Sequence, residues 1–362
     1  MIPTPPDPQD WQWQWQLRHA ARDLATLKQW FPTVDWPAGS TAAAGHFPLA
    51  VTPYYASLVG RPDFADPVFA QFVPRGDELH NPDWLNNDPL TEEQHMPVPG
   101  LIHRYPDRAL VLASSACAVY CRHCMRKRVA GAGDSAARPL QHLPQWVAYL
   151  QKHPAVKDVL ISGGDPLMLE TNLLEKIIAP IRQVPSVEII RIASRTPATL
   201  PMRIDKELVT MLRRYAPLFV STHFNHPAEL SPLANDALNA LADGGIPVAN
   251  QTVLLRGVND SAEIIEALCR GLLRSRARPY YLFQCDLVEG TEHFRTPLSR
   301  GLEIMAALRG RLSGLGIPHF AVDTAEGGKI ELLPESIVSR SHDHTILRSS
   351  TGQLVRYPEP QN

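Results

Sequence analysis

The sequence predicts an α/β chain, a partial (β/α)6 TIM-type barrel preceded by a mainly helical accessory region. Three observations carry this. From about residue 108, short β-rich runs alternate with helical periodicity and, after a longer first gap, recur roughly every 30 residues, as strand-plus-helix units do. Polar and metal-binding residue types follow those runs repeatedly, where the active-site rim of a parallel barrel lies. The first 36 residues are different in kind: they hold five of the seven tryptophans and few glycines.

In chain order, residues 1–100 read as the accessory region, 101–335 as the barrel and 336–362 as a short C-terminal extension. Trp11 to Gln16 alternates Trp and Gln, which fits a strand of period 2, but Leu17 to Arg22 favours an amphipathic helix. Residues 37–100 carry many prolines and the acidic residues Asp77, Glu78, Asp83, Asp88, Glu92 and Glu93, the composition of a loop-rich wrap around a core. The strand Ala109–Ala113 leads to Cys117, Cys121 and Cys124. Val159–Ser162 leads to Gly163-Gly164-Asp165, and Ile189–Ala193 to Ser194-Arg195-Thr196. Leu218–Thr222 precedes His223 and His226, Val248–Leu255 carries Gln251, and Tyr280–Gln284 runs into Cys285-Asp286. Asp205 can cap a helix whose apolar face is Leu208, Met211, Leu212 and Tyr215. Ser231-Pro232 opens another, lined by Ala234, Ala237, Leu238 and Leu241 and ended by Gly244. Six such units imply a parallel sheet, and a partial barrel is its economical closure.

Composition excludes several function classes. A length of 362 residues suits one large domain, or one domain plus an arm, at ~150 residues per domain. The balance of 35 basic against 37 acidic residues, net −2, argues against nucleic acid as a main partner. Apolar runs fall short of the ~18 residues of a membrane helix. The proline-rich start shows no export signal, so a cytoplasmic location is expected. Of five cysteines, three lie within eight positions, which suggests metal or redox chemistry in a reducing compartment.

Cys117-Ala118-Val119-Tyr120-Cys121-Arg122-His123-Cys124 has the spacing C-x3-C-x2-C, which can curl three thiolates around one face of an iron–sulfur cluster. A [4Fe–4S] cube needs four ligands, so one iron stays open to a non-protein ligand. A zinc site completed by His123 is the other reading of the same residues. Cys269 shares a helix face with Ile265, Leu268 and Leu272, and Cys285 ends an apolar strand, so both read as core residues.

This loop resembles that of radical S-adenosylmethionine (SAM) enzymes. Cys121 to Arg128, reading CRHCMRKR, resembles the lysine 2,3-aminomutase family in particular. The likeness continues through Pro99–Arg108, Ser162–Asp165, Ser194–Pro197, Thr222–Pro227, Asn250–Asp260, Arg278–Tyr281, Gln284–Leu287 and His293–Pro297. It implies a [4Fe–4S] cluster on Cys117, Cys121 and Cys124 whose open iron chelates SAM and whose electron gives a 5′-deoxyadenosyl radical. It implies SAM contacts from His123, Gly163, Gly164, Asp165 and Gln251, with Asp165 accepting from the SAM ammonium. Pyridoxal phosphate (PLP) is implied as second cofactor on Lys329, which a glycine turn holds at Gly327-Gly328, with Arg104, Tyr105 and Arg108 around its phosphate. Arg126 would clamp the substrate carboxylate, and Asp286 with Asp323 the distal ammonium.

The implied reaction is a 2,3-amino migration on free L-lysine giving β-lysine. Arginine would satisfy the same carboxylates, and supply of β-lysine for modifying a translation elongation factor is a related role. A non-catalytic iron–sulfur or zinc module is the rival from another class. The implied partners are a small amino acid and an electron donor such as flavodoxin or ferredoxin, while the assembly state stays open, a homo-oligomer included. Two departures from the family pattern stand out. The turn between Asp323 and Lys329 is shortened, and the C-terminal cysteine cluster of longer members is missing, with Ser261 where a further cysteine would sit. No zinc is therefore expected.

Overall fold

The computed structural model describes residues 1–4, 12–131, 139–333, 336–349 and 351–360. Trp11, the start of the Trp/Gln alternation, lies outside them. The alternation itself is helical: α1 spans Trp13–Arg18 and buries Trp13 and Gln16 on one face. The accessory region continues with α2 (Leu24–Trp30), α3 (Ser40–His46) and α4 (Pro53–Ser57). Asp23 caps α2 by accepting from the Thr26 amide at 2.7 Å, and Thr52 caps α4. These short helices cannot stand alone. They are held by a core in which Leu27, Trp30, Phe31, Tyr55, Phe69 and Phe72 meet Val119 of the cysteine loop.

The main sheet has nine strands in sequential order: β1 (Leu101–Tyr105), β2 (Arg108–Ser114), β3 (Asp158–Gly163), β4 (Ile189–Ser194), β5 (Leu218–Thr222), β6 (Val248–Leu254), β7 (Ala277–Gln284), β8 (His319–Thr324) and β9 (Gly328–Glu331). Strands β2 through β8 run parallel, while β1 and β9 are antiparallel hairpin partners at the two edges. Each of the six predicted strands is present and is followed by a helix: α5 (Pro139–Lys152), α6 (Thr171–Arg182), α8 (Lys206–Arg213, after the single turn α7, Thr196–Thr199), α9 (Pro232–Asp243), α10 (Ala262–Arg274) and α11 (Leu298–Arg309). The predicted caps form, Asp205 accepting from Leu208 N and Ser231 from Ala234 N. The periodicity reading missed β8, a further parallel strand, and the two edge strands.

Side chains alternate across the sheet, as strand geometry requires. Val111, Ile161, Ile192 and Val220 face outward and are sealed by Trp146, Ile177, Ile181, Leu208 and Leu241 of the helices. Arg108, Leu110, Asp158, Leu160, Arg191 and Phe219 face the other way and are only half-buried, lining an open lumen. The sheet curls until its edges meet through side chains: Tyr105 Oη on β1 accepts from the Lys329 amide on β9 at 3.0 Å. The C-terminal residues form a second sheet, β10 (Ile337–Arg340), β11 (His344–Arg348) and β12 (Leu354–Pro358), whose Leu347, Val355 and Tyr357 join the core behind β8 and β9. Among the described residues, no helix is long and apolar enough to cross a membrane.

Candidate active site

The cysteine loop leaves β2 and is anchored from below. Arg122, between two of the cysteines, is fully buried, holding Glu78 through Nε and Nη2 and donating to the carbonyls of Phe47, Pro48 and Ala43. A buried ion pair in this setting fixes register more surely than it adds stability. It ties the accessory region to the loop, so the expected wrap is a structural support for the cysteines.

The thiols fit a polynuclear centre. Burial pushes Cys117 well above the ordinary thiol range, with the charges of Asp165, Cys124 and Cys121 adding to it; burial and then Cys121 push Cys124 up to about 11. Thiols that resist ionisation because they are buried, and next because they lie near one another, are stabilised as thiolates by a bound cation. Among the described residues, no three His, Cys, Asp or Glu side chains converge on one ion. His123, the fourth ligand of the zinc alternative, sits instead beside Asn225, whose Nδ2 donates to His123 Nε2 at 3.3 Å; its Nδ1 is buried without a partner.

Gly163 and Gly164 are required by the packing of the chain itself. A Cβ on Gly163, at φ +128°, would stand 2.2 Å from Ser114 O, and one on Gly164 would stand 2.6 Å from Ala116 O. The close approach is to the chain entering the cysteine loop. Asp165 is held by its own chain. Its Oδ1 accepts from Ser194 Oγ (2.7 Å) and Leu167 N (3.0 Å), and its Oδ2 from Arg195 N (2.8 Å) and Thr196 N (3.0 Å). With two donors on each oxygen it is a brace between β3 and β4.

Arg195, placed on the same rim by the sequence, was given no role there. Its Nη1 donates to Cys121 Sγ at 2.6 Å, and its Nη2 reaches Tyr55 Oη, Gln71 Oε1 and Glu229 Oε1 at 2.9, 2.5 and 2.6 Å. Glu229 is fully buried and also accepts from the amides of Asn225 and His226.

Further round the lumen, the β8–β9 hairpin presents Asp323 and Lys329 as direct cross-strand partners on one face. Gly328, at φ +65°, makes the turn and lies against the Tyr105 ring. Lys329 Nζ sits 4.2 Å from the Tyr281 ring centre and 4.5 Å from that of Phe283. Burial lowers its pKa, Asp323 opposes this, and Arg108 and Arg191 add to the lowering. Arg108 stacks on Tyr105 at 4.2 Å. Arg104 clamps the turn: its Nη2 donates to the carbonyls of Thr324 and Ala325. Arg191, which pairs with Asp158 at 2.9 Å, is a lumen cation that the sequence did not reveal.

Asp286 follows β7. Burial and then the charge of Asp323 push its pKa up to about 7, so the two carboxylates face a shared space. Arg126 is also near enough to influence Asp286, but it is not a bare cation: Glu92 accepts from its Nε (3.0 Å) and Nη2 (2.7 Å), and Arg128 holds the other Glu92 oxygen at 2.7 Å. Among the described residues Arg126 Nη1 has only Ser162 Oγ, at 3.4 Å, and is the edge that remains for an anion. Gln251 lies half-buried on β6 in register with Tyr281. Thus Lys329, Tyr105, Arg108, Asp323, Asp286 and Arg126 gather in one lumen. Glu92 could not be found from sequence, because its partner lies on another element, 34 residues away.

Comparison with known proteins agrees with this arrangement. A family model described as the radical SAM superfamily matches residues 111–268, and one described as lysine-2,3-aminomutase matches residues 305–362. The chain is 48% identical over 315 residues to an L-lysine 2,3-aminomutase of Fusobacterium nucleatum, covering 87% of this chain and 74% of that one. It is 46% identical over 348 residues to that of Clostridium subterminale, covering 96% and 83%. A glutamate 2,3-aminomutase of Clostridioides difficile is 39% identical over 86% of this chain and 73% of its own. Cysteine loop, curled parallel sheet and relatives agree: the chain belongs to the lysine 2,3-aminomutase family of radical SAM isomerases, which work with an iron–sulfur cluster and S-adenosylmethionine.

Proposed function

We propose that this enzyme moves the amino group of L-lysine from C2 to C3, forming β-lysine, with PLP as its second cofactor. The observation that carries the substrate is the Asp286–Asp323 pair. Two carboxylates that hold each other's charge off accept a cation there and reject a second anion. A glutamate side chain would bring such an anion, so likeness to a glutamate 2,3-aminomutase does not extend to that substrate. The free edge of Arg126, held in place by Glu92, takes the α-carboxylate. The distance between this edge and the aspartate pair then measures the substrate's length.

Cys117, Cys121 and Cys124 would hold the cluster, and His123, Gly163, Gly164 and Gln251 would border SAM. Lys329 would hold PLP, with Tyr105 and Arg108 beside it and Arg191 as an added cation. Its amine suits this, because burial against Tyr281 and Phe283 favours the uncharged nucleophilic form. When bound, PLP supplies a carbon that holds the migrating nitrogen, and the cluster with SAM supplies the radical that takes hydrogen from C3. The protein's contribution is positioning and dryness. Arg104 and Tyr105 fix the hairpin that presents Lys329, Arg126 and the aspartates fix the two ends of the substrate, and the aromatic wall keeps water from the reacting carbons.

The test is anaerobic reconstitution with iron, sulfide and PLP, then incubation with SAM, dithionite and L-lysine, with α- and β-amino acids resolved by mass spectrometry. β-Lysine should form, and should vanish in Lys329→Ala and Asp323→Ala. SAM cleavage without β-lysine would move the substrate to arginine or another cationic amino acid; no cluster and no cleavage would overturn the proposal.

A further inference from the structure

Arg195 divides its guanidinium between two tasks. Nη1 points at Cys121 Sγ, 2.6 Å away, while Nη2 is shared among Tyr55, Gln71 and Glu229. Two of those three partners, Tyr55 and Gln71, come from the accessory region, far from the barrel in sequence. Glu229 supplies the countercharge at 2.6 Å and is itself gripped by the Tyr55 hydroxyl and two backbone amides. An ion pair needed only for folding has no reason to aim a donor at a cluster thiolate.

We propose that Arg195 is a positioning residue that raises the reduction potential of the iron–sulfur cluster through a charge-assisted hydrogen bond to Cys121 Sγ, and that the accessory region sets this by holding the guanidinium in place. The proposal rests on Cys121 being a cluster ligand. Reduction adds one electron to the cluster from the external donor and breaks no bond. The added negative charge is spread over the sulfurs, so a cation and N–H donor at one sulfur stabilise the reduced form more than the oxidised one. Glu229 moderates the effect by neutralising part of that charge. Arginine suits the place because its planar fork can serve the sulfur and three oxygens at once, which a lysine ammonium cannot do in this geometry.

The two charges predict shifts of opposite sign. Full-length enzyme is reconstituted with iron and sulfide, without SAM, PLP or lysine; iron content is measured, and reduction is followed by EPR in a mediated titration. Arg195→Gln should lower the ratio of reduced to oxidised cluster at a fixed potential at least tenfold, which is 59 mV for one electron. Glu229→Gln, which keeps the shape and removes the countercharge, should raise it, and Arg195→Lys should fall between Arg195→Gln and the wild type. Shifts of the same sign in the Gln variants, or both within twofold of wild type, would overturn the proposal. So would a shift that appears only once SAM is added, which would make Arg195 a SAM contact. Should Arg195→Gln fail to assemble a cluster, the sign of the Glu229→Gln shift decides. Cys121→Ala separates the two ideas: if it retains full iron, the ligand assignment itself is wrong, whereas loss of the cluster with unmoved potentials sinks only the role of Arg195.

Discussion

Replacing Asp286 by Asn keeps the shape of the side chain and removes one of the two charges that would face a distal ammonium. The carboxyl's pKa of about 7 places it mostly ionised at pH 8, so the substitution removes a real charge at that pH. Breaking one side of a buried charge pair costs ~3–5 kcal/mol, or roughly 100- to 5,000-fold in kcat/KM. Asp286 fronts an open lumen and Asp323 remains, so the lower end, about 100-fold, is expected. The assay is the initial rate of β-lysine formation against L-lysine concentration at pH 8. Inhibition by L-norleucine, which has the same chain without the ammonium, is measured beside it. Lysine turnover should fall while norleucine inhibition holds or strengthens. A lysine kcat/KM within fivefold of wild type, or equal losses for both compounds, would refute the idea that Asp286 reads the ammonium.

Asp286 binds its proton more tightly in the folded chain than its ordinary value of 3.8 allows, so its contribution to the stability of the ligand-free enzyme should fall as pH rises from about 4 to about 7; the Tm of Asp286→Asn should gain on that of the wild type across this range. PLP capture by Lys329 should gain rate with rising pH at a midpoint below the ordinary 10.5, and Asp323→Asn, which removes the charge opposing that lowering, should move the midpoint further down, read by absorbance after borohydride trapping. Glu92→Gln frees the Arg126 fork and should raise KM for lysine about tenfold with a smaller change in kcat, in steady-state rates. Gly164→Ala must push a Cβ against Ala116 O, so Tm should drop by the equivalent of ~1–3 kcal/mol and iron content per chain should fall, whereas an unchanged cluster would show that the loop yields easily.

The six parallel strands were legible because each centres on a short run of branched or aromatic apolar residues, and helices such as those opened by Asp205 and Ser231 carry a side-chain cap and an apolar face. Strand β8 was not read, because His319 to Thr324 is bounded by polar residues, His319 at one end and Asp323 and Thr324 at the other. The edge strands escaped for a similar reason: β1 carries His103, Arg104 and Tyr105, three polar or amphipathic side chains in a row.

At the site, local pattern and family resemblance brought out the cysteines, Lys329 and the paired aspartates. Those residue types carry their chemistry wherever they stand, and spacing along one loop is local information. What Gly164, Asp165 and Arg104 actually touch could not be read in the same way. Their partners, Ala116, Ser194 and Thr324, lie in the cysteine loop, on β4 and on β8, and which of these atoms meet depends on register and on the curl of the sheet. Sequence by itself determined the order of the βα units and the ligand-bearing residue types on their rim, because propensity, capping and alternation act over a few residues. Only the tertiary structure decided that Glu92 restrains Arg126, that Asp286 and Asp323 share one space, and that Tyr55 and Gln71 steady the arginine beside Cys121. Each joins side chains from separate elements, and their charges and donors act only at distances that curling of the sheet creates.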